Sequence, residues 1–260
     1  MSEGLHGKRA VVCGGSRGIG RAIADALADE GVSVAILGRD PKSLEETTRA
    51  LNAKGVDAIS VSVDLTDLDA TARAAEEISV RMGDVHILIN NSGGPEPGPL
   101  LKATTNTMMR VFTQHVLASH VLAQNFVPGM ERLGYGRIIN IVSTSVREPI
   151  HHLGVSNTVR AAMGGWSKTL SKELPPGITV NNILPGFTNT DRLTKLRDTL
   201  ATNNHVSPES ILAGWTAAVP EHRLAEPREI AALAVFLASP SAAYMRGTSI
   251  AVDGGRTQCI

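Results

Sequence analysis

The sequence predicts an α/β fold: one doubly wound domain with a seven-stranded parallel sheet and helices on both faces. Three observations carry this expectation. Short β-branched runs alternate with longer helical stretches, the pattern of βαβ units. The cores of those runs (Ala10-Val11-Val12, Val34-Ala35-Ile36-Leu37, Ile87-Leu88-Ile89, Ile138-Ile139-Asn140-Ile141-Val142) are apolar without alternation, as strands covered on both faces must be. A chain of 260 residues with 42% hydrophobic content suits a single domain, and no repeat, low-complexity tract or linker divides it.

In chain order, a strand at 9–14 runs into a glycine cluster and a helix at 18–30. A strand at 32–37 and a helix at 41–53 follow, with Pro41 at the first helical position, where its missing N–H costs nothing. The third unit pairs a strand at 57–63 with a helix at 67–82, and the fourth strand is 85–90. One long apolar periodicity predicts a single helix over 106–132. Then come a strand at 137–142, a helix at 155–174 and a strand at 178–183. From 187 to 223 the rhythm breaks: Asn189-Thr190-Asp191, Asn203-Asn204-His205 and Ser207-Pro208 interrupt a segment with no strand, which is expected to be a lid or binding segment. A helix at 227–238, opened by Pro227, and a strand at 249–252 close the domain.

Charge and cysteine usage exclude several classes. Lys and Arg number 25, as do Asp and Glu, so no general field draws the chain to nucleic acid or an anionic membrane. Neither Cys13 nor Cys259 belongs to a CxxC pair or a His/Cys cluster, so no metal site is expected. Cys13 sits in an apolar run, where free cysteine packs as a small hydrophobe. Residues 1–8 hold no apolar stretch of signal-peptide length, and no run approaches the ~18 to 20 apolar residues of a membrane span. The expected compartment is a reducing cytoplasm.

The cluster Gly14-Gly15-Ser16-Arg17-Gly18-Ile19-Gly20 lies between a strand and a helix. There, glycines permit a tight turn and close approach to a pyrophosphate, and the helix N-terminus offers free N–H groups: a Rossmann-type dinucleotide cradle. Its spacing, Gly14-xxx-Gly18-x-Gly20, resembles the TGxxxGxG fingerprint of the short-chain dehydrogenase/reductase family, with Cys13 at the threonine. The resemblance continues through Asp64-Leu65, Asn90-Asn91-Ser92-Gly93, Val180-Asn181-Asn182-Ile183-Leu184-Pro185-Gly186, and Glu229-Ile230-Ala231 to Val252-Asp253-Gly254-Gly255. Five elements in order over nearly the whole chain are specific, and they are most similar to the 3-oxoacyl-ACP-reductase-like branch.

The resemblance implies a cofactor set of Gly14, Ser16, Arg17, Gly18, Ile19, Gly20, Asp64, Leu65, Asn91, Ser92, Gly93, Pro185, Gly186, Thr188 and Thr190, with Arg160 at the ribose. Charge adds Arg39. Where NAD-binding members carry an acid after the second strand, this chain reads Leu37-Gly38-Arg39, and Arg17 lies in the glycine loop. Two guanidiniums and no acid at Gly38 favour NADP(H); Asp40 keeps NAD(H) as the second option.

The family's chemistry uses an asparagine in the fourth helix, a serine after the fifth strand, and a Tyr-xxx-Lys pair. Here Ser143 matches the serine, but His115 stands at the asparagine, Ser156 at the tyrosine and Arg160 at the lysine. Ser156 and Arg160 keep the four-residue spacing of one helix face. An aliphatic hydroxyl is a far weaker acid than a phenol of pKa ~10, and arginine, above ~12, cannot share its proton. The usual tyrosine mechanism is therefore absent. Tyr135 and Tyr244 fall in expected loops with no substituting spacing. Candidate proton carriers are His115 and His152, the latter beside His151, with Glu148 behind them.

These residues leave three functions open. The first is an NADP-dependent oxidoreductase on a small carbonyl or alcohol, with Ser143 on the oxygen, Arg160 on the ribose and a histidine or water supplying the proton. The others are a non-redox enzyme (isomerase, dehydratase or hydrolase) on the same fold and a catalytically silent NADP-binding protein. The resemblance also implies a homo-oligomer, tetramer or dimer, with 106–132 and 155–174 as interface helices.

Overall fold

The computed structural model describes residues 4–259. Seven strands, β1 (Arg9–Cys13), β2 (Ser33–Gly38), β3 (Ala58–Ser62), β4 (Ile87–Asn90), β5 (Gly136–Ile141), β6 (Ile178–Pro185) and β7 (Ser249–Val252), form one sheet. Its order is β3-β2-β1-β4-β5-β6-β7, and every neighbouring pair is parallel. The order reverses between β1 and β4, so the cleft outside their carboxyl ends is the topological switch point where such sheets bind ligands.

Consecutive strand residues face opposite sides, and both sides are dry. Ala10, Val12, Ile36, Ile87, Ile89, Ile139 and Ile183 pack under α1 (Gly18–Asp29), α2 (Pro41–Asn52) and α9 (Pro227–Ala238), which contribute Ile23, Leu27, Leu44, Leu51, Ile230 and Leu237. Val11, Leu37, Leu88, Ile138 and Val180 pack on the other side, under α3 (Leu68–Met82) and α5 (Ala118–Arg132), against Ile78, Leu122, Phe126 and Met130. Each large side chain fully buried here stabilises the fold by about 1.5–3 kcal/mol. A third apolar cluster, with Val142, Val155, Val159, Met163 and Leu184, seats α6 (Gly154–Glu173) beside the ends of β5 and β6.

A polar seam crosses this apolar sheet. Asn90, Asn140 and Asn182 occupy matching register positions on β4, β5 and β6. Asn90 Nδ2 donates to Asn140 Oδ1 at 2.8 Å, and Asn140 Nδ2 donates to Asn182 Oδ1 at 2.8 Å. Asn182 Nδ2 then donates to Ser167 Oγ (2.6 Å) and Ser249 Oγ (3.0 Å). A one-residue slip would strand these buried amides without partners, so the seam fixes the register of three strands.

The structure adds detail to two expectations. The helix expected over 106–132 is α4 (Thr105–Phe112) and α5 joined through a π turn, Thr113–Leu117. A π turn adds one residue to the helical circuit without interrupting it, so the run from Thr105 to Arg132 stays helical throughout and the apolar spacing continues across it. The segment 187–223 holds no strand but carries two helices, α7 (Asp191–Asn204) and α8 (Pro208–Ala217). In α7 Ala201 is the one buried residue, so its sequence lacks a strong apolar stripe.

Candidate active site

The glycine loop forms because only glycine fits it. Gly14 and Gly18 have φ of 58° and 54°, in the left-handed region. A Cβ on Gly20 would stand 2.2 Å from the Gly14 carbonyl oxygen, so helix and strand close on each other only without one. Asn91, just past β4, locks the loop by donating to Cys13 O at 3.1 Å. Burial raises the Cys13 thiol to about 12, which leaves it inert. Helix α1 has no side-chain cap at Arg17 and no acid in its first turn. The N–H groups around Gly18, Ile19 and Gly20 are therefore left to an anion, and this uncapped cradle fits a pyrophosphate.

At the end of β2, Gly38 leaves space toward Ser16, whose Oγ would lie 3.6 Å from a Cβ there. Arg17 Nη2 donates to Asp40 Oδ2 (2.6 Å) and Ser43 Oγ (2.7 Å), and Arg39 stands 4.0 Å from Asp64 Oδ2. Both pairs are exposed and worth little, so a phosphate can displace either acid. Asp64 also accepts from the N–H and Oγ of Thr66 at 3.0 Å each. Leu65 lines a small cavity with Asn91, Ser92 and Arg160. On the opposite wall Gly186 cannot carry a Cβ, which would meet Asp253 at 2.8 Å. Thr188 Oγ1 donates to Gly186 O, and Thr190 caps α7 and stands against Gly18. Pro185, at the end of β6, leads into this wall. The residues present fit a dinucleotide.

Ser143 follows β5 in extended conformation, and its Oγ accepts from Ser145 N at 3.1 Å. That acceptor bond orients the hydroxyl while leaving its proton free to donate. Ser156 and Arg160 lie on α6, four residues apart, both half-buried. Arg160 Nη1 donates to the carbonyls of Ile141 (2.7 Å) and Val142 (2.6 Å). The guanidinium thus closes the end of β5, immediately before Ser143. Burial first, and the charge of Arg192 second, bring Arg160 down to about 10, which still leaves it cationic at neutral pH. Asn157, unremarked in the sequence, accepts from Ile150 N and donates to Ile150 O, pinning the loop that carries Ser143 to α6.

The proton-carrier candidates separate clearly. His115 lies in the π turn, 5% exposed, with Nδ1 at 2.8 Å from Ser92 Oγ and Nε2 at 3.2 Å from Gly93 O. Desolvation, reinforced by Arg160, holds it well below its usual pKa, so it is a neutral group that braces the loop after β4. His151 and His152 are exposed at the rim, their rings 4.0 Å apart, and His152 is left-handed with φ 59°. Its carbonyl accepts from Gly98 N. Glu148 accepts the N–H groups of Gln258 (2.7 Å) and Cys259 (2.9 Å), so it holds the C-terminal tail. Tyr135 donates to Ala238 O and Tyr244 is exposed; neither joins the site.

Four further residues that the sequence did not single out join the segments after β4, β5 and β6 to α7, α8 and the C-terminal tail. Phe187 stacks on Trp215 of α8 at 5.0 Å, and Arg256 lies 4.7 Å over the Phe187 ring while donating to Thr144 Oγ1. Arg192, on the first turn of α7, donates to Pro95 O at 2.9 Å. Their partners are distant in sequence, so only the folded chain reveals them. Among the described residues there is no group of His, Cys, Asp and Glu that could hold a metal, and no helix long and apolar enough to cross a membrane.

Comparison with known proteins extends this geometry. Residues 14–257 match the family described as enoyl-(acyl carrier protein) reductase. The chain is 35% identical to an uncharacterized oxidoreductase of Mycobacterium tuberculosis over 254 residues, covering 97% of this chain and 93% of that protein. It is 33% identical to the NADPH-dependent reductase BacG of Bacillus subtilis, covering 97% and 99%. Among solved structures, L-sorbose reductase from Gluconobacter frateurii, complexed with NADPH and L-sorbose, superposes with a TM-score of 0.94 at 33% identity over 100% of both chains.

Proposed function

The chain belongs to the short-chain dehydrogenase/reductase family, and on that premise we propose that it is an NADP(H)-dependent oxidoreductase acting on a small organic carbonyl or alcohol. The observation that carries this reading is the uncapped N-terminus of α1 over the glycine loop, flanked by Arg17 and Arg39 with glycine where an acid would select NAD. When bound, the cofactor supplies a hydride to the carbonyl carbon.

The chain's own residues do the rest. The N–H groups of Gly18, Ile19 and Gly20 would hold the pyrophosphate, and Ser16, Arg17 and Arg39 would take the ribose 2′-phosphate in place of Asp40 and Asp64. Ser143 directs its free O–H at the substrate oxygen as a hydrogen-bond donor and keeps its proton, oriented by the Ser145 N–H behind it. Arg160 fixes the strand end that carries Ser143 and lends its charge to the developing oxyanion. His115, neutral, positions the loop after β4 through Ser92 and the Gly93 carbonyl and delivers no proton to the substrate. The proton that completes the alcohol comes from solvent water, to which His151 and His152 are exposed, and the water leaves as hydroxide to bulk. The proposal extends to a cytoplasmic homo-oligomer, in which α4, α5 and α6 pair between copies and cover exposed apolar groups such as Met109.

Calorimetry with NADPH and NADH tests the cofactor. NADPH should bind more tightly, and Arg17→Ala with Arg39→Ala should erase most of the difference; NADH binding as tightly as NADPH overturns the assignment. NADPH consumption over a carbonyl panel tests the reaction. Ser143→Ala should remove about 2.7–4 kcal/mol of transition-state stabilisation, the range for one oxyanion donor.

A further inference from the structure

The lid carries a guanidinium to the chemical end of the cleft. Arg192 is exposed as a residue, yet its guanidinium lies against Gly94, where a Cβ would stand 2.7 Å from Nη2. Nη2 donates to Pro95 O at 2.9 Å, and among the described residues no other hydrogen bond or ion pair engages the group. A guanidinium has five N–H donors, so Nε and Nη1 are open to a ligand. Its charge reaches Arg160 and His115, where it adds to burial in disfavouring the protonated forms. Two guanidiniums, Arg192 beside Gly94 and Pro95 and Arg160 at the end of β5, thus bring positive charge to this part of the cleft.

Few carboxylates balance that charge. Arg160 forms no ion pair among the described residues and spends Nη1 on carbonyl oxygens. Glu96, exposed on the same loop as Pro95, attracts Arg192 but makes no ion pair within 4.0 Å. Glu148 is occupied by the tail amides, and Asp253 accepts from Thr257 and Gly255. Asp191 adjoins Arg192 in sequence, and successive helical residues do not face each other. An arginine fork with open donors matches a planar carboxylate, the anion that best completes such a site.

Resting on the reading of the cleft as a carbonyl site, we propose that Arg192 selects a substrate bearing a carboxylate beside the carbonyl held by Ser143. The cofactor pyrophosphate is the rival anion. Its place is the N-terminus of α1, where Thr190 stands against Gly18. Arg192 instead lies against Gly94 and Pro95, on the loop that follows β4, and its charge is felt at His115 and Arg160.

The test uses pyruvate, acetoacetate and levulinate, each paired with its methyl ester, in NADPH-consumption assays, with calorimetry of the same compounds on the NADP⁺-saturated protein. The wild type should favour at least one acid over its ester by about tenfold or more in kcat/KM, the size of one charge-assisted contact. Arg192→Gln should bring that ratio near one, Arg192→Lys should retain part of it, and NADPH affinity should hold within about twofold in both. An unchanged ratio in Arg192→Gln, or no preference in the wild type, overturns the proposal. So does a loss of NADPH affinity comparable to the lost acid preference, which would assign the guanidinium to the pyrophosphate. If no carbonyl is reduced, the oxidoreductase reading fails, and calorimetry decides the proposal alone. Acid binding that depends on Arg192 supports it; equal binding of acid and ester, or no acid binding, overturns it.

Discussion

Replacing Arg160 with methionine separates two roles for the residue at the family's lysine position. In the structure its Nη1 bridges the carbonyls of Ile141 and Val142 at 2.7 and 2.6 Å, so the side chain is a staple on the end of β5. Methionine keeps much of the apolar stem and removes the charge and both bonds. Hydrogen bonds to a charged group contribute about 1.5–3 kcal/mol each, and partial exposure argues for the low end, giving a loss of about 3 kcal/mol. Unfolding entropy near ~2.1 cal/mol/K per residue, over 260 residues, is about 0.55 kcal/mol/K, so Tm should fall by about 5 °C. Scanning calorimetry measures the shift, and titration with NADPH measures affinity on the same sample. Turnover should fall as well, because Ser143 directly follows the stapled strand end. Lysine at the same position, with a shorter reach and no planar fork, should give an intermediate Tm. An unchanged Tm with a tenfold weaker NADPH affinity would refute the staple and return Arg160 to the ribose.

Two further outcomes follow from buried polar groups. Asn140→Leu removes the middle of the amide seam and leaves Asn90 Nδ2 and Asn182 Oδ1 unpaired, at about 1–3 kcal/mol each; urea unfolding should show a loss of about 2–6 kcal/mol, and wild-type stability would contradict the seam's role. His86 is lowered to about 4 by desolvation and by Lys8 and Arg9, and its Nδ1 accepts from Arg9 N at 3.1 Å. Between its unfolded pKa near ~6.5 and about 4, the unfolded chain binds a proton that the folded chain refuses, so stability is intact above that window and falls as pH drops through it. Because the ring is only half-buried, the loss should be about 1–2 kcal/mol after solvent screening. His86→Gln should flatten that part of the stability–pH curve; an identical slope in the variant would assign the acid sensitivity elsewhere.

Legibility in this chain tracks the distance over which the determining interaction acts. The glycine loop was readable because its constraints are local: Gly18 needs a positive φ, and Gly20 must clear a carbonyl six residues back. The inner strands β1, β2, β4, β5 and β6 were readable because both their faces are covered, which removes alternation from their sequences. The π turn was not, since an inserted residue shifts the helical phase without disturbing its apolar character. The asparagine seam was not, because it exists only once β4, β5 and β6 are in register, across separations of 50 and 42 residues. The same limit governs the site. Sequence spacing correctly brought Ser156 and Arg160 onto one helix and Ser143 to a strand end. It could not foresee that Arg160 would spend itself on two carbonyls, or that His115 would be sealed behind Ser92 and Gly93. Nor could it find Arg192, whose partner Pro95 is 97 residues away. A residue's type and spacing report what chemistry it can do; its hydrogen-bond partners decide how much of that capacity remains. On that criterion His115, one of the proton carriers the sequence offered beside His152, has both ring nitrogens engaged by Ser92 and Gly93, whereas Arg192 makes a single hydrogen bond among the described residues.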